Sequence, residues 1–169
     1  AERDVIISRT FSKAYGLSGI RVGYGISSNR LIEFMDKVRE PFNVNLLAQA
    51  AARAALDDKV FLNKTLSNTR SGKAYLYKEF DRMGLEYVPS ATNFILVNIK
   101  RDCRDIFKKL LSLGVIVRDM KAWGLDTYIR VTIGTPIENR KFIAALRVSL
   151  RVVGTEHCSV PTTGMTKRR

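Results

Sequence analysis

Hydrophobic and polar positions near the start of the chain predict two strands and a helix. The apolar run over residues 5–7 predicts a buried strand, and the Ser- and Gly-rich segment over residues 9–19 predicts a loop. A second strand is predicted over residues 20–26, where the glycines indicate that another backbone or a ligand packs closely. Apolar residues at helical spacing then predict a helix over residues 29–38, which ends before Pro41.

The rest of the chain has the pattern of helices followed by alternating strands and helices. Helices are predicted over residues 46–56 and 59–83, with Asn45 as the cap of the first and Gly84 as the end of the second. Predicted strands at 86–88, 93–99, 115–117 and 128–133 surround a helix at 103–113, and Pro136 begins a last helix that reaches about residue 150. This order predicts an α/β fold. Because an edge piece of a parallel sheet cannot cover its own apolar faces, we expect that residues preceding Ala1 have been removed or lie elsewhere.

Composition narrows the classes of function. A hydrophobic fraction of 46% and a charged fraction of 27% are typical of a soluble globular protein. No apolar run approaches the roughly 18 residues that span a bilayer, and residues 1–8 lack a signal peptide's apolar core, so we expect a cytoplasmic protein without a membrane partner. The two cysteines, Cys103 and Cys158, form no CxxC pair and His157 is the only histidine, which argues against a metal site and against Ser-His-Asp chemistry.

The net charge of +13 raises the alternative of a basic nucleic-acid-binding module. The basic residues are nevertheless scattered over segments with helical spacing, such as residues 63–82. That distribution favours a solvated face, or a surface complementary to an acidic segment, over a nucleic-acid site.

The segment with the clearest chemistry covers residues 8–24, SRTFSKAYGLSGIRVGY. It places Lys13 in a loop after the first predicted strand, between the hydroxyls of Thr10 and Ser12 and the guanidinium of Arg21. Hydroxyls and a guanidinium can bind a phosphate, and a deprotonated lysine can attack a carbonyl to form an imine. Pyridoxal phosphate (PLP) combines an aldehyde and a phosphate in one molecule.

The string SKAYGLSGIRVGY, residues 12–24, closely resembles the Schiff-base segment of fold-type I aminotransferases, and within them the histidinol-phosphate aminotransferase branch. Four later segments are also similar to that branch: 39–49 (REPFNVNLLAQ), 89–94 (PSATNF), 117–119 (VRD) and 128–135 (YIRVTIGT). The similarity spans about residues 5–150.

The resemblance implies roles for individual residues. Lys13 would hold PLP as a Schiff base and move a proton between the substrate α-carbon and the cofactor C4′ carbon. Arg130 would bind an anionic end of the substrate, either the phosphate of histidinol phosphate or a carboxylate of glutamate. The residues implied to bind the cofactor are Lys13, Thr10, Ser12 and Arg21. Those implied to bind the substrate are Arg130, Arg118 and Asn93.

Two of these arginines have structural interpretations from the sequence alone. Arg118 precedes Asp119 and could form a structural ion pair with it. Arg130 lies within an apolar strand, where a buried arginine would require an anionic partner.

The resemblance also implies a domain division and a reaction. Residues 1–44 would be the C-terminal part of a large PLP-binding domain, residues 45–151 a small C-terminal domain, and residues 152–169 a flexible tail. The intact protein would be a homodimer that transfers an amino group between L-histidinol phosphate and 2-oxoglutarate, giving imidazole acetol phosphate and glutamate. Aromatic or broad-specificity transamination, phosphothreonine decarboxylation and a catalytically inactive dimerisation domain remain alternatives.

Part of the site that the family requires is not in this sequence. In the family, the aspartate that pairs with the pyridine nitrogen and the glycine-rich phosphate cradle lie well before the lysine, whereas only twelve residues precede Lys13 here. Asp4 is too close to Lys13 to serve as that aspartate. We therefore expect this chain alone to bind PLP poorly and to have little or no activity.

Overall fold

The chain forms a two-stranded ribbon near its N-terminus and a four-stranded sheet covered by helices, in a computed structural model that describes residues 4–151. Short 3-10 helices lie at Ser18–Ile20 and Lys121–Trp123. The strands and longer helices, in chain order, are β1 (Ile7–Thr10), β2 (Gly23–Ile26), α1 (Asn29–Val38), α2 (Leu46–Asp57), α3 (Lys59–Arg82), β3 (Tyr87–Val88), β4 (Phe94–Asn98), α4 (Cys103–Ser112), β5 (Arg118–Asp119), β6 (Tyr128–Thr132) and α5 (Pro136–Leu150). Within that range, no helix has both the length and the apolarity needed to cross a lipid bilayer. The predicted tail, with His157 and Cys158, lies outside the described residues.

The ribbon pairs β1 with β2 in antiparallel register, with Thr10 opposite Gly23. A Cβ atom at Gly23 would lie 2.6 Å from the carbonyl oxygen of Arg9, so the close backbone approach predicted from the glycines is confirmed there. The prediction of a buried strand over residues 5–7 is wrong in both position and burial. The strand begins at Ile7, whose side chain is half exposed, because the described chain leaves most of the ribbon uncovered.

The larger sheet has the order β3-β4-β6-β5, and all its neighbouring strands are antiparallel. Alternate residues of β4 and β6 point to opposite faces, so one face is apolar and buried beneath helices while the other is open. The buried face and the helices α3, α4 and α5 share one core, whose fully buried large side chains include Leu76, Phe80, Ile95, Val97, Ile99, Ile106, Leu110, Ile129 and Leu146.

Side-chain caps begin the main helices where the sequence predicts helix starts. Asn45 accepts a hydrogen bond from the backbone N–H of Ala48 at 2.8 Å, which confirms the predicted cap of α2. Asp102 caps α4 in the same way and also forms an ion pair with Lys121 at 2.6 Å. The hydrogen bond from Lys121 lowers the pKa of the Asp102 carboxyl, and the same bond raises the pKa of the Lys121 amine. A carboxylate at this helix start therefore joins α4 to the loop before β6.

The strand predicted over residues 115–117 is wrong, because the pairing begins only at Arg118. The backbone N–H of Val115 donates to the carbonyl of Leu110 at 2.9 Å, which closes the end of α4 after Gly114. A residue that satisfies a helix end in this way cannot also contribute that N–H to a sheet ladder.

Helix α3 packs against the end of β6 and the start of α5 at Gly72. The buried Asn139 side chain accepts from the N–H of Gly134 at 2.9 Å and donates to its carbonyl at 3.0 Å. Asn68 of α3 donates to the same carbonyl at 3.0 Å. A Cβ atom at Gly72 would lie 2.7 Å from Ile133 Cγ2 and 2.8 Å from Asn139 Nδ2. This junction therefore has no room for a side chain at Gly72.

Gly72→Ala is expected to destabilise the fold by about 1–2 kcal/mol, because an overpacking cost of about 2–3 kcal/mol exceeds the gain of ~1 kcal/mol in helix propensity. The measurement is the free energy of unfolding by urea. Ser67→Ala, at an exposed position of the same helix, is the control and should be neutral or slightly stabilising. Equal or greater stability for Gly72→Ala would contradict the close packing of this junction.

Candidate active site

The loop that carries Lys13 is folded around Phe11, a buried side chain with 3% exposure. The Phe11 ring packs against the rings of Tyr15 and Tyr24, with centroids 4.9 Å and 5.8 Å away. The Phe11 carbonyl accepts a hydrogen bond from the N–H of Leu17 at 3.0 Å, which closes the loop upon itself. An aromatic anchor thus holds the backbone on both sides of Lys13, while the lysine side chain remains exposed.

Three of the residues predicted to bind the cofactor phosphate form one cluster. Arg21 Nη1 donates to Ser12 Oγ at 3.4 Å and to the carbonyl of Ser18 at 2.8 Å. The hydroxyl of Thr10 accepts from the N–H of Ser12 at 3.0 Å. Arg21 has a φ of 57°, a left-handed conformation that is uncommon for a residue with a side chain. That conformation ends the 3-10 helix at Arg21, and the guanidinium lies against the segment that precedes Lys13.

The charge around this cluster is uncompensated within the described residues. Over residues 4–151, neither Lys13 nor Arg21 has a carboxylate within 4 Å. The nearest polar partners of Arg21 are a hydroxyl and a backbone carbonyl. Hydroxyl donors and an unneutralised guanidinium beside an amine fit a phosphate-bearing aldehyde such as PLP.

A cavity of about 510 Å³ brings Lys13 together with residues far along the chain. Lys13 and Ala14 line one side, and the remaining walls come from α3 and from the ends of β4 and β6. The residues of those walls are Thr65, Leu66, Asn68, Thr69, Ala91, Thr92, Asn93, Phe94 and Ile133. Asn93, predicted to contact substrate, therefore shares a cavity with Lys13.

The wall around Asn93 is held in place by α3. The amine of Lys73 donates to the carbonyl of Ser90 at 2.6 Å, and the N–H of Ser90 donates to the hydroxyl of Tyr77 at 2.7 Å. The carbonyl of Asn93 accepts from the N–H of Ile133 at 2.9 Å, which joins the two strand ends that line the cavity. Sequence reasoning missed Lys73 and Tyr77, although polar residues at helical spacing on one face of α3 are a signal that could have indicated them.

Arg118 and Arg130 lie directly opposite each other on β5 and β6, on the open face of the larger sheet. The expectation that Arg130 is buried is wrong, because strand alternation turns its side chain away from the core and it is exposed. Its guanidinium carbon lies 5.0 Å from the ring centroid of Phe94, one of the cavity residues. Arg130 therefore contacts a residue that lines the Lys13 cavity.

The structural ion pair considered for Arg118 and Asp119 is absent from the described residues. Neighbouring strand residues point to opposite faces, and Asp119 instead accepts a hydrogen bond from the N–H of Lys121 at 3.3 Å. The guanidinium of Arg118 lies over the ring of Trp123, with 5.3 Å from its carbon to the centroid. No described carboxylate forms a salt bridge with either Arg118 or Arg130.

Acidic residues do not contribute to this site in the described part of the chain. Asp4 forms an ion pair with Arg30, whose Nη2 lies 2.6 Å from both carboxylate oxygens. Over residues 4–151, no group of three or more His, Cys, Asp or Glu side chains could hold a metal ion. The site chemistry of this segment is therefore that of amine, guanidinium, hydroxyl and amide groups.

A lysine at the wall of a cavity, next in sequence to a hydroxyl that contacts a guanidinium, fits a PLP-dependent transferase. The family model for aminotransferase class I and II matches residues 1–146, and the chain belongs to that family.

Similarity to individual proteins supports the assignment of the chain to this family. The chain is 55% identical, over 144 residues, to a histidinol-phosphate aminotransferase of Moorella thermoacetica, across 85% of this chain and 37% of that relative. The structure resembles the histidinol-phosphate aminotransferase from Clostridium acetobutylicum, with a TM-score of 0.80 and 26% identity over 86% of this chain and 45% of that one. The enzyme from Sinorhizobium meliloti, solved in complex with pyridoxal-5′-phosphate, gives a TM-score of 0.77 and 34% identity over 86% of this chain and 40% of that one.

These likenesses confirm the predicted fold class, an α/β structure that corresponds to the C-terminal part of a fold-type I transferase. The chain spans 37% of the length of the curated relative named above. Residues that the whole family site requires can therefore lie in the portion of the relatives that this chain does not cover.

Gly23→Ala is expected to weaken PLP binding by about tenfold or more in the full-length protein, because a methyl group 2.6 Å from the Arg9 carbonyl must displace β1 and with it Thr10. Gly25→Ala on the same strand is the matched control, since its Cβ would meet only Ile6 Cγ2, at 3.8 Å. The measurement is the dissociation constant of PLP for each variant. Equal affinities for both variants would show that the register of the ribbon does not support the phosphate cluster.

Proposed function

We propose that this chain is the C-terminal part of a PLP-dependent aminotransferase that transfers an amino group between L-histidinol phosphate and 2-oxoglutarate. The observation that carries the proposal is a single cavity lined by both Lys13 and Asn93. Ser12, the residue before Lys13, accepts a hydrogen bond from Arg21, and Arg130 lies over the ring of Phe94, another lining residue. The likeness to histidinol-phosphate aminotransferases supports the choice of substrate.

We propose the domain division 1–44 and 45–151, with the first part belonging to a larger cofactor domain. Several apolar side chains near this division are more than three-quarters exposed, among them Val38, Leu46 and Leu47. Exposed apolar surface of this kind supports contact with further protein, which we propose to be the remainder of the large domain and the second subunit of a cytoplasmic homodimer. The group that pairs with the pyridine nitrogen would come from that further protein, since Asp4 already pairs with Arg30.

Each site residue of this chain would have a separate role in the reaction. When bound, PLP supplies an aldehyde that takes up the substrate amino group and a ring that accepts the electron pair of the α-carbon. Thr10, Ser12 and Arg21 would hold the phosphate of the cofactor beside Lys13. The Lys13 amine accepts the proton from the substrate α-carbon and returns it at the neighbouring C4′ atom.

The two opposed arginines would bind the anionic end of each substrate in turn. Arg118 and Arg130 lie on the same open face and have no described carboxylate partner. A phosphate can use both guanidiniums, and a carboxylate can use one in a bidentate pair. Such a site accepts histidinol phosphate in one half-reaction and 2-oxoglutarate in the other.

The test uses the full-length protein incubated with PLP. We expect an absorbance band from the cofactor joined to Lys13, and reduction with sodium borohydride should leave a pyridoxyl group on the peptide that contains Lys13, detected by mass spectrometry. Lys13→Ala should remove both signals and lower kcat by at least about a hundredfold, the usual contribution of a general acid–base. Lys64→Ala, at an exposed lysine of α3, is the control and should retain both signals.

The same preparation distinguishes the alternatives. Glutamate formation from L-histidinol phosphate and 2-oxoglutarate supports the proposed reaction, whereas preference for an aromatic donor or release of carbon dioxide from phosphothreonine supports a rival reaction on the same site. A pyridoxyl group on another lysine, or no cofactor signal together with strongly salt-dependent DNA binding, would overturn the enzymatic proposal.

A further inference from the structure

The indole of Trp123 supports the guanidinium of Arg118 on the open face of the larger sheet. The guanidinium carbon lies 5.3 Å from the ring centroid, within the range of a cation–π contact. Trp123 is 55% exposed, so it does not belong to the buried core. Its ring therefore contributes little to that core.

The loop that carries Trp123 is fixed by contacts that do not involve Arg118. The ion pair between Lys121 and Asp102, at 2.6 Å, ties the 3-10 helix Lys121–Trp123 to the start of α4. The N–H of Trp123 donates to the carbonyl of Met120 at 3.0 Å. These contacts hold the backbone that carries the indole, and the flexible arginine side chain lies against the ring.

The arginine pair needs such support because of its geometry. Arg118 and Arg130 are cross-strand neighbours, and like charges directly opposite each other repel. No carboxylate in residues 4–151 compensates them, and each guanidinium instead lies over an aromatic ring, Trp123 for Arg118 and Phe94 for Arg130. The two rings hold both cations on one face without neutralising either of them.

We propose that Trp123 is a positioning residue that holds Arg118 beside Arg130, so that the two guanidiniums together bind the dianionic phosphate end of the substrate. This inference rests on the proposed function, because it concerns how the same site selects among anions. A single carboxylate depends less on the second guanidinium and hence less on Trp123. The indole therefore contributes to discrimination in favour of the phosphate-bearing substrate.

The test compares steady-state kinetics of the full-length enzyme with those of Trp123→Leu, which keeps apolar bulk but removes the π face. We expect the KM for the phosphate-bearing amino donor to rise about two- to fivefold, the effect of an exposed cation–π contact. The inhibition constant of inorganic phosphate should rise by a similar factor, while kcat and the KM for 2-oxoglutarate change by less than about twofold. Trp123→Phe, which retains a ring, should keep the donor KM and the inhibition constant of phosphate close to those of the unaltered enzyme.

Two further variants show whether Trp123 acts through Arg118. In an Arg118→Ala background, Trp123→Leu should have no further effect on the donor KM, because the guanidinium that it supports is gone. Phe34→Leu is the matched control, since it removes another exposed ring beneath a cation, Lys37 at 5.2 Å, and should leave the donor KM unchanged.

The results of these experiments distinguish a failure of the inference about Trp123 from a failure of the proposed function. Transamination with an unchanged donor KM in Trp123→Leu, or additive effects of Trp123→Leu and Arg118→Ala, would overturn the role of Trp123 and leave the enzymatic function intact. Absence of the Lys13 cofactor signal in the unaltered protein would instead overturn the proposed function itself.

Discussion

The candidate site depends on one constraint, the placement of an amine and a guanidinium on the same loop with no nearby carboxylate to neutralise either. The loop is fixed by Phe11 beneath it and by the hydrogen bond from Arg21 to Ser12, the residue before Lys13. Uncompensated positive charge of this kind carries a cost in the isolated chain, and a bound phosphate would relieve it. An anion bound beside Lys13 would therefore be favoured by the charge of this loop.

Helix α3 positions the wall of the cavity that lies opposite Lys13. It contacts the Ser90 backbone through Lys73 and Tyr77, and the Gly134 carbonyl through Asn68. These contacts place the ends of β4 and β6 opposite the lysine, and Arg130 follows because its strand is in register with β4. The Lys13 loop, α3 and the ends of β4 and β6 therefore line one cavity.

Local physical chemistry accounts for the elements that were predicted correctly. Helices α1 and α5 have the predicted bounds, because apolar periodicity and Pro136 act within a few residues. The errors involve tertiary context: Val115 closes a helix rather than starting a strand, and the burial of Arg130 depends on which face of β6 the helices cover. The proximity of Lys13 to Asn93 has no local signal, and only the family resemblance indicated it.

An experimental structure of the full-length protein with PLP is the most direct test of a cofactor site formed by Lys13, Ser12 and Arg21. We expect continuous electron density from the Nζ atom of Lys13 to the cofactor C4′ atom, with the cofactor phosphate hydrogen-bonded to Arg21 and Ser12. Density for a cofactor bound to a different lysine, or with its phosphate away from Arg21, would contradict the account.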